Sequence, residues 1–313
     1  MNIAFLGAGA VGGYFGTLLH DAGHTVGLVA RGETRSRIQS AGLSRSDARV
    51  SPATTRTVPF PAAALFAELS PLLGGIDVAI IASKALPGNA TFGDVADLAG
   101  VPVLTTHNSV EVHHQAAQLL GADRVLAGVV RTYAERRGPA DIVIHPGPLN
   151  LNFGLMPNAP EGEQAERTRA VARELEAALR GAGFDANVLP DILVDVWTKA
   201  MYVTTTGILG AVSERPLGYL RGPLRPQLAG LMSEVAAVGR AAGVALPDDV
   251  VEATLAFADR MPEAATSSMH RDIAAGLPNE LDAQSGAIRR VGDSVGVDTP
   301  LFDFAHAVIE ARP

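Results

Sequence analysis

The sequence predicts an α/β Rossmann-type domain followed by an all-α domain. Strand-like apolar runs alternate with helix-like segments up to Leu189, and a glycine-rich turn follows the first of these runs. Beyond Pro190 the pattern is almost entirely helical. A chain of 313 residues is also longer than one ordinary core supports. We therefore expect a Rossmann-type α/β domain at residues 1–189 and a helical domain at residues 190–313.

Composition and charge exclude several classes of protein. The net charge of -8 argues against a nucleic-acid partner, because such binders carry a basic face. No uncharged apolar run approaches the roughly 18 residues that cross a bilayer, and the N-terminal run lacks the basic start of a signal peptide. The absence of cysteine removes disulfides and Cys-ligated zinc. We expect a cytoplasmic protein without a membrane partner, and the sequence leaves its oligomeric state open, a homodimer included.

The first strand, Asn2–Leu6, leads into a turn with the complete G-x-G-x-x-G pattern. The residues of this turn are Gly7, Ala8, Gly9, Ala10, Val11 and Gly12. Gly7 permits a tight turn, Gly9 lets a pyrophosphate approach the backbone, and Gly12 permits close packing of the next helix on the sheet. The free N–H groups at the start of that helix would face the phosphates. The turn therefore predicts a dinucleotide site.

The second strand, Thr25–Val29, is followed by Arg31, about 20 residues beyond the glycines, where this fold meets the adenosine ribose. An acidic residue there would accept from the 2′-hydroxyl of NAD, whereas a guanidinium suits the 2′-phosphate of NADP. Glu33 blurs this interpretation, and Arg31 and Arg35 could instead be solvated residues at the start of a helix. The sequence favours NADP.

Two later strands end in polar residues. Residues 76–82 are apolar on both faces, as in a buried parallel strand, and precede Lys84, while residues 101–105 precede Asn108. Open α/β sheets bind ligands at the carboxyl ends of their strands, so we expect both side chains on the same sheet edge as the glycine turn. The alternative for Lys84 is an ordinary exposed loop lysine.

The remainder of the first domain is predicted to consist of short strands and one long helix, and to contain no metal site. We expect a short β excursion at 44–63, strands at 125–130, 142–145 and 149–153 separated by Gly-Pro turns, a helix at 161–179 and a strand at 184–189. His113 and His114 are adjacent and point to different faces of a helix. We interpret them as solvated surface histidines rather than metal ligands.

The helical domain carries a second set of candidate residues. Its helices are predicted at 191–213, about 224–242, 248–260 and 280–311. Lys199, the only lysine of this domain, lies off the apolar stripe of the first helix and forms a row with Val203 and Gly207 that could face a cleft between the domains. Ser268 and Glu280 lie in polar segments that, read alone, are ordinary loops, and Ser268 could cap a helix.

At these residues the chain resembles the ketopantoate reductase family, which comprises NADPH-dependent reductases with a Rossmann domain and a helical domain. The resemblance extends nearly end to end. Besides the glycine turn, it rests on Arg31, Lys84, His107-Asn108, Trp197-x-Lys199, Ser268-Met269-x-x-Asp272 and Glu280-x-Asp282. The last two motifs, in this order and spacing, are far more specific than the glycines.

The resemblance implies which residues act in the reaction. Lys199 is then the catalytic acid, and Asn108, Ser268 and Glu280 shape the substrate site. On chemical grounds, Glu280 could orient the Lys199 ammonium or bind a substrate hydroxyl. By the same resemblance Arg31 and Lys84 hold NADPH together with the glycine turn. On chemical grounds, Asn108 could bridge nicotinamide and substrate. The residues implied around a small 2-oxo acid are Asn108, Lys199, Val203, Gly207, Ser268 and Glu280. The implied reaction is the reduction of ketopantoate to pantoate in pantothenate biosynthesis.

The chemistry suits these residue types, but the sequence also departs from the family pattern. Hydride delivery to a carbonyl carbon puts negative charge on the oxygen, which an ammonium such as that of Lys199 can stabilise and protonate. Typical members carry asparagines where this chain has Val203 and Gly207. The alternative is therefore a related oxidoreductase that acts on a bulkier 2-oxo acid, a β-hydroxy acid or an imine. A non-catalytic NADP-binding protein would need neither Lys199 nor Glu280.

Overall fold

The computed structural model describes residues 1–86 and 92–312. The chain separates into two compact units. The first extends over most of the chain up to Ile192, and the second begins at Leu193. Two short segments, which begin at Ala85 and Asn108, belong with the second unit. The division lies a few residues after the expected boundary at Leu189.

The first unit is built on one sheet. The strands are β1 (Asn2–Leu6), β2 (Thr25–Val29), β3 (Leu43–Asp47), β4 (Thr54–Val58), β5 (Ala62–Ala63), β6 (Val78–Ile81), β7 (Val103–Thr105), β8 (Val125–Gly138), β9 (Asp141–Leu155) and β10 (Asp185–Val188). The helices in this part of the chain are α1 (Ala10–Asp21), α2 (Gly32–Ala41), α3 (Phe66–Leu73), α4 (Val112–Leu120) and α5 (Glu163–Gly181).

The order of the strands places four carboxyl ends on one edge of the sheet. The order is β4-β3-β9-β8-β7-β6-β1-β2-β5, and β10 pairs with β9. The pairs from β7 through β6 and β1 to β2 are all parallel. Fully buried side chains such as Phe5, Ile80 and Leu104 hold these strands together with the helices that cover them. The Rossmann-type fold class is confirmed.

One predicted turn in this unit is wrong. The Pro146-Gly147-Pro148 stretch lies inside β9, which pairs with β8 in a long antiparallel hairpin. The register shifts there, because Leu149 pairs with Thr132 while Ile144 already pairs with Ala134. This bulge accommodates prolines that would interrupt a regular ladder. A Cβ at Gly147 would overlap the ring of Tyr133, so glycine lets that ring cover the bulge.

The second unit is helical in its described part, as predicted. Its helices are α6 (Ile192–Ser213), α7 (Leu217–Arg221), α8 (Arg225–Ala241), α9 (Val250–Arg260), α10 (Ser268–Ala274), α11 (Ala287–Val295) and α12 (Pro300–Glu310), with a π-helical turn at Asp282–Gly286. The expected continuous helix at 280–311 is broken at Gly296, whose φ is +71°, before Pro300 starts the last helix. In residues 1–86 and 92–312, no helix has the length and apolar character that crossing a bilayer requires.

Candidate active site

The glycine turn joins β1 to α1, and each glycine has a distinct environment. Gly7 has a φ of +103°, and a Cβ there would lie 2.8 Å from the backbone nitrogen of Ser83. At Gly12 a Cβ would overlap the carbonyl oxygen of Gly7, so only glycine allows α1 to start this close to β1. At Gly9, by contrast, a Cβ would meet no atom within 4 Å. Gly7 and Gly12 are therefore packed against neighbouring backbone, whereas Gly9 borders open space.

The start of α1 offers backbone donors to an anion. Gly9 precedes the helix, and no side chain of the described residues caps it. The first amides of a helix have no intrahelical acceptor, and the helix dipole makes this end positive. The first turn of α1 also contains no acidic residue. Open space at Gly9 and uncapped amides fit the phosphates of a dinucleotide.

Arg31 lies beside this turn at the end of β2. The carbonyl oxygen of Val29 accepts from the amide of Gly7 at 3.0 Å, and Arg31 follows two residues later as the residue before α2. Its side chain is exposed. Glu33, which blurred the sequence-based interpretation, forms an ion pair with Arg37 at 2.9 Å on its own helix. The acidic group near Arg31 thus already has a cationic partner.

Lys84 follows the end of β6 on the other side of the same turn. Ala82 donates its amide to the carbonyl of Leu6 at 2.8 Å, and Ser83 is the residue that a Cβ at Gly7 would contact. Lys84 comes next in the chain and is exposed. The topology therefore brings Lys84 and Arg31 to opposite sides of the glycine turn.

Lys199 and Asn108 meet although they are 91 residues apart in the sequence. The ammonium Nζ of Lys199 donates to Oδ1 of Asn108 at 2.6 Å. Both side chains are half-buried. Trp197 and Met201, on the neighbouring face of α6, are almost fully buried, and the ring of Trp197 packs against Gly239 of α8. Core packing of that face orients Lys199 away from the core.

Val203 and Gly207, which follow Lys199 along the same face of α6, differ in burial. Val203 is half-buried, whereas Gly207 is buried against α10. A Cβ at Gly207 would lie 2.7 Å from the terminal methyl of Met269 and 3.2 Å from Oγ of Ser267. The space of the missing side chain is therefore filled by Met269. The absence of a side chain at Gly207 thus adds no open space at this position.

Ser268 begins α10 and is exposed. Its suggested role as a helix cap is wrong, because the cap is Ser267, whose hydroxyl accepts from the amide of His270 at 3.0 Å. Close approach of α10 to α6 depends on a second glycine as well, since a Cβ at Gly210 would lie 2.9 Å from Nδ1 of His270. Ser268 thus starts a helix whose next residue, Met269, contacts the Lys199 helix at Gly207.

Glu280 is buried, with 8% of its surface exposed, just before the π-helical turn. Its Oε1 accepts from the backbone amide of Ala85 at 3.2 Å. A buried carboxylate needs such donors, because desolvation otherwise disfavours its charge. Ala85 is the residue after Lys84, so the segment following β6 supplies this donor. The sequence offered no signal for a main-chain partner of Glu280.

The histidines near Asn108 are more buried than predicted. His113 is only 3% exposed, so its interpretation as a surface residue is wrong, whereas His114 is exposed. Burial lowers the pKa of His113 to about 3 and that of His107 to about 4, so both rings are neutral at pH 7. Across the described ranges, no group of three or more His, Asp or Glu side chains is arranged to hold a metal ion.

Comparison with known proteins places the whole chain in one family. Residues 3–158 match the family described as "Ketopantoate reductase PanE/ApbA", and residues 191–312 match "Ketopantoate reductase PanE/ApbA C terminal". A 2-dehydropantoate 2-reductase from Mycobacterium tuberculosis is 29% identical, over 96% of this chain and 94% of that protein.

Solved structures agree with this assignment. The crystal structure of a PanE/ApbA family ketopantoate reductase from Ralstonia eutropha is 29% identical, with a TM-score of 0.83 over 99% of this chain and 97% of that chain. A D-mandelate dehydrogenase solved with NADH and anilino(oxo)acetate shares the fold, with a TM-score of 0.84 at 23% identity over 99% of this chain and 98% of that chain. The chain therefore belongs to the ketopantoate reductase family.

Proposed function

We propose that this protein is an NADPH-dependent oxidoreductase that reduces the C2 carbonyl of a 2-oxo acid, with Lys199 as the proton donor. The observation that carries the proposal is the 2.6 Å hydrogen bond from Nζ of Lys199 to Asn108. It holds a half-buried ammonium in one place on a helix that is packed through Trp197. Membership of the ketopantoate reductase family supports the same reaction class.

The residues of the second unit suit this chemistry. An ammonium has three N–H donors, and the bond to Asn108 uses one of them. A substrate carbonyl oxygen that accepts from Lys199 gains negative charge during reduction, and the ammonium stabilises this charge and then transfers a proton. Glu280, held by the amide of Ala85, can accept from a substrate hydroxyl. NADPH, when bound, supplies the hydride.

NADPH rather than NADH is proposed because of Arg31. Within the described part of the chain, its guanidinium makes no hydrogen bond or ion pair, and Glu33 is engaged by Arg37. Arg35 follows one turn later, and its buried Nε has no partner among the described residues. Two guanidinium groups at this strand end suit a 2′-phosphate better than a 2′-hydroxyl.

We expect Arg31→Ala to weaken NADPH binding by about one to two decades and to leave NADH binding nearly unchanged. A charge-assisted hydrogen bond contributes roughly 1.5 to 3 kcal/mol, and only NADPH has the phosphate. Fluorescence titration of both cofactors measures the effect. Arg173→Ala is the matched control, since Arg173 is an exposed arginine of α5 in the same unit. Equal losses for the two cofactors would remove the 2′-phosphate assignment.

Substrate choice is proposed from the residues beyond Lys199. Val203 presents a hydrocarbon surface, and Met269 fills the space beside Gly207 with a methyl group. Neither offers the amide groups that the resemblance implies for a small hydroxylated substrate. Thr206 does not replace them as a donor, because its hydroxyl donates to the carbonyl of Tyr202 at 2.7 Å. An apolar lining favours a 2-oxo acid with a larger apolar substituent over ketopantoate.

We expect kcat/KM to be higher for such an apolar 2-oxo acid than for ketopantoate, and Val203→Asn to reduce this preference. Each lost hydrogen bond to a desolvated polar group costs about 1 to 3 kcal/mol, or roughly fivefold to 150-fold in kcat/KM. The rates are measured as the loss of NADPH absorbance with a panel of 2-oxo acids and imines, and as the gain of NADPH absorbance with NADP⁺ and β-hydroxy acids. Val203→Ala is the control for volume alone.

The same panel tests the proposed function as a whole. Turnover of a 2-oxo acid that disappears in Lys199→Ala supports it. Turnover only of β-hydroxy acids or imines would keep the cofactor proposal and replace the substrate class. A ketopantoate efficiency near 10⁴ M⁻¹s⁻¹ or above, within the enzyme range of about 10⁴ to 10⁸ M⁻¹s⁻¹, would defeat the preference for apolar substrates. NADPH binding without any turnover would favour the non-catalytic alternative.

A further inference from the structure

The segment that carries Asn108 has no regular secondary structure to hold it. Residues 108–111 lie between β7 and α4 and form neither helix nor strand. A hydrogen bond to Lys199 restrains its start, and the amide of Glu111 donates to Oγ of Ser109 at 3.2 Å within the segment. Backbone outside helices and sheets depends on side-chain contacts for its position. The side chain of Glu111 provides such a contact.

Glu111 is held by a guanidinium from α11. Nη2 of Arg290 lies 2.8 Å from Oε2 of Glu111, and Nε of Arg290 donates to the same carboxylate at 3.2 Å. Two donors on one carboxylate form a fork that fixes orientation as well as distance. The side chain of Glu111 is 17% exposed and that of Arg290 is 47% exposed, so solvent is restricted only at the carboxylate end of the pair. The two residues are 179 positions apart in the sequence.

The same guanidinium holds a second segment. Nη1 of Arg290 lies 2.7 Å from Oδ1 of Asp282, and Nη2 donates to the carbonyl oxygen of Asp282 at 3.1 Å. Asp282 begins the π-helical turn two residues after Glu280. A Cβ at Gly286 would lie 2.9 Å from both Nη1 of Arg290 and Oδ1 of Asp282, so glycine leaves room for this pair. These contacts raise the pKa of Arg290.

We propose that Arg290 is a positioning residue that fixes Asn108 and Glu280 relative to each other. Through Glu111 it restrains the irregular segment three residues from Asn108, and through Asp282 it restrains the turn two residues from Glu280. This inference rests on the proposed function, in which Asn108 orients the Lys199 ammonium. Arg290 itself makes no chemical contribution to the reduction.

We expect Arg290→Ala to lower kcat by roughly tenfold to a hundredfold, as misplacement of a catalytic group does, with NADPH affinity retained. Arg289→Ala is the matched control, because Arg289 is the adjacent arginine of α11 and pairs with Asp303 at 2.6 Å instead. Glu111→Gln, which removes the charge and keeps the shape, should reproduce the loss in part. Thermal unfolding of each variant checks that the fold is retained.

The same substitution made in an Asn108→Ala variant distinguishes a positioning role of Arg290 from a general structural effect. In Asn108→Ala, the further change Arg290→Ala should lower kcat by clearly less than it does in the wild type, because one of the two residues that Arg290 positions is gone. A full additional loss in that background would overturn the proposal. So would a normal kcat in both Arg290→Ala and Glu111→Gln.

A measurement without turnover keeps this proposal distinct from the proposed function. The sequence contains only two lysines, Lys84 and Lys199, so acetic anhydride labelling read by mass spectrometry reports on Lys199 with Lys84 as reference. We expect Arg290→Ala to change the rate at Lys199 in the same direction as Asn108→Ala, and Arg289→Ala to leave it unchanged. An unchanged rate in Arg290→Ala would overturn the positioning role. A changed rate in a protein that reduces no substrate would sink the proposed function alone.

Discussion

Lys199→Ala is expected to lower kcat for 2-oxo acid reduction by roughly two to four decades, the range in which a positioned general acid contributes. The charge of Lys199 matters most when the alkoxide forms, so the loss should fall on kcat rather than on NADPH affinity. The partner left behind is the amide of Asn108, which is half-buried and can bond water instead. Single-turnover oxidation of NADPH and a separate cofactor titration measure the two quantities.

Two further variants, Lys199→Arg and Lys84→Ala, distinguish loss of proton transfer from loss of charge stabilisation and from loss of cofactor binding. Arginine keeps the positive charge but does not release a proton near neutral pH, so Lys199→Arg should retain charge stabilisation and lose proton transfer. Lys84→Ala removes the other lysine, which lies beside the glycine turn, and should act on the KM for NADPH. A near-normal kcat in Lys199→Ala would show that this lysine is structural.

Gly12→Ala is expected to abolish measurable cofactor binding and to destabilise the fold, whereas Gly9→Ala should impair binding alone. A methyl group at residue 12 would overlap the backbone carbonyl oxygen of Gly7 and lie 3.3 Å from the side-chain Cβ of Ala82. Overpacking of this kind costs about 1 to 3 kcal/mol of the free energy of unfolding. At residue 9 the methyl group would meet nothing within 4 Å.

The two glycine variants therefore separate folding from binding in one turn. Denaturant unfolding should show a lower midpoint for Gly12→Ala and an unchanged or slightly higher one for Gly9→Ala, because alanine restricts the unfolded chain. NADPH affinity of Gly9→Ala should fall by about one to two decades, equivalent to one or two bonds from amides to phosphate. Normal NADPH affinity in Gly9→Ala would show that the phosphates lie elsewhere.

The first half of the fold was predictable because its signals are local. A glycine turn between a strand and a helix has one common structural context, and β1 and α1 lie where that context predicts. Parallel pairing then brings strand ends together, which places Lys84 near Gly7 without further information. The hairpin of β8 and β9 was misread at Gly147, because a bulge with two prolines has the same local composition as a turn.

The contacts of the second unit were not predictable from local patterns. An ion pair such as that of Arg290 with Glu111 joins residues 179 positions apart, and neither residue type is unusual where it occurs. In the first unit, the burial of His113 beside the exposed His114 was likewise not evident from the local sequence. The role of Met269 could be suspected only from Gly207, since a missing side chain in a packed helix implies that another group fills its space.

Gly207 and Met269 also determine how this region can change during evolution. The two residues share one volume, since the methyl group of Met269 lies where the side chain of residue 207 would begin. A larger residue at 207 displaces Met269, and a smaller residue at 269 leaves a void beside Gly207. Because methionine is flexible, a reciprocal exchange of size is tolerated better than either single change. A polar side chain at residue 207 therefore requires another residue or another rotamer at position 269.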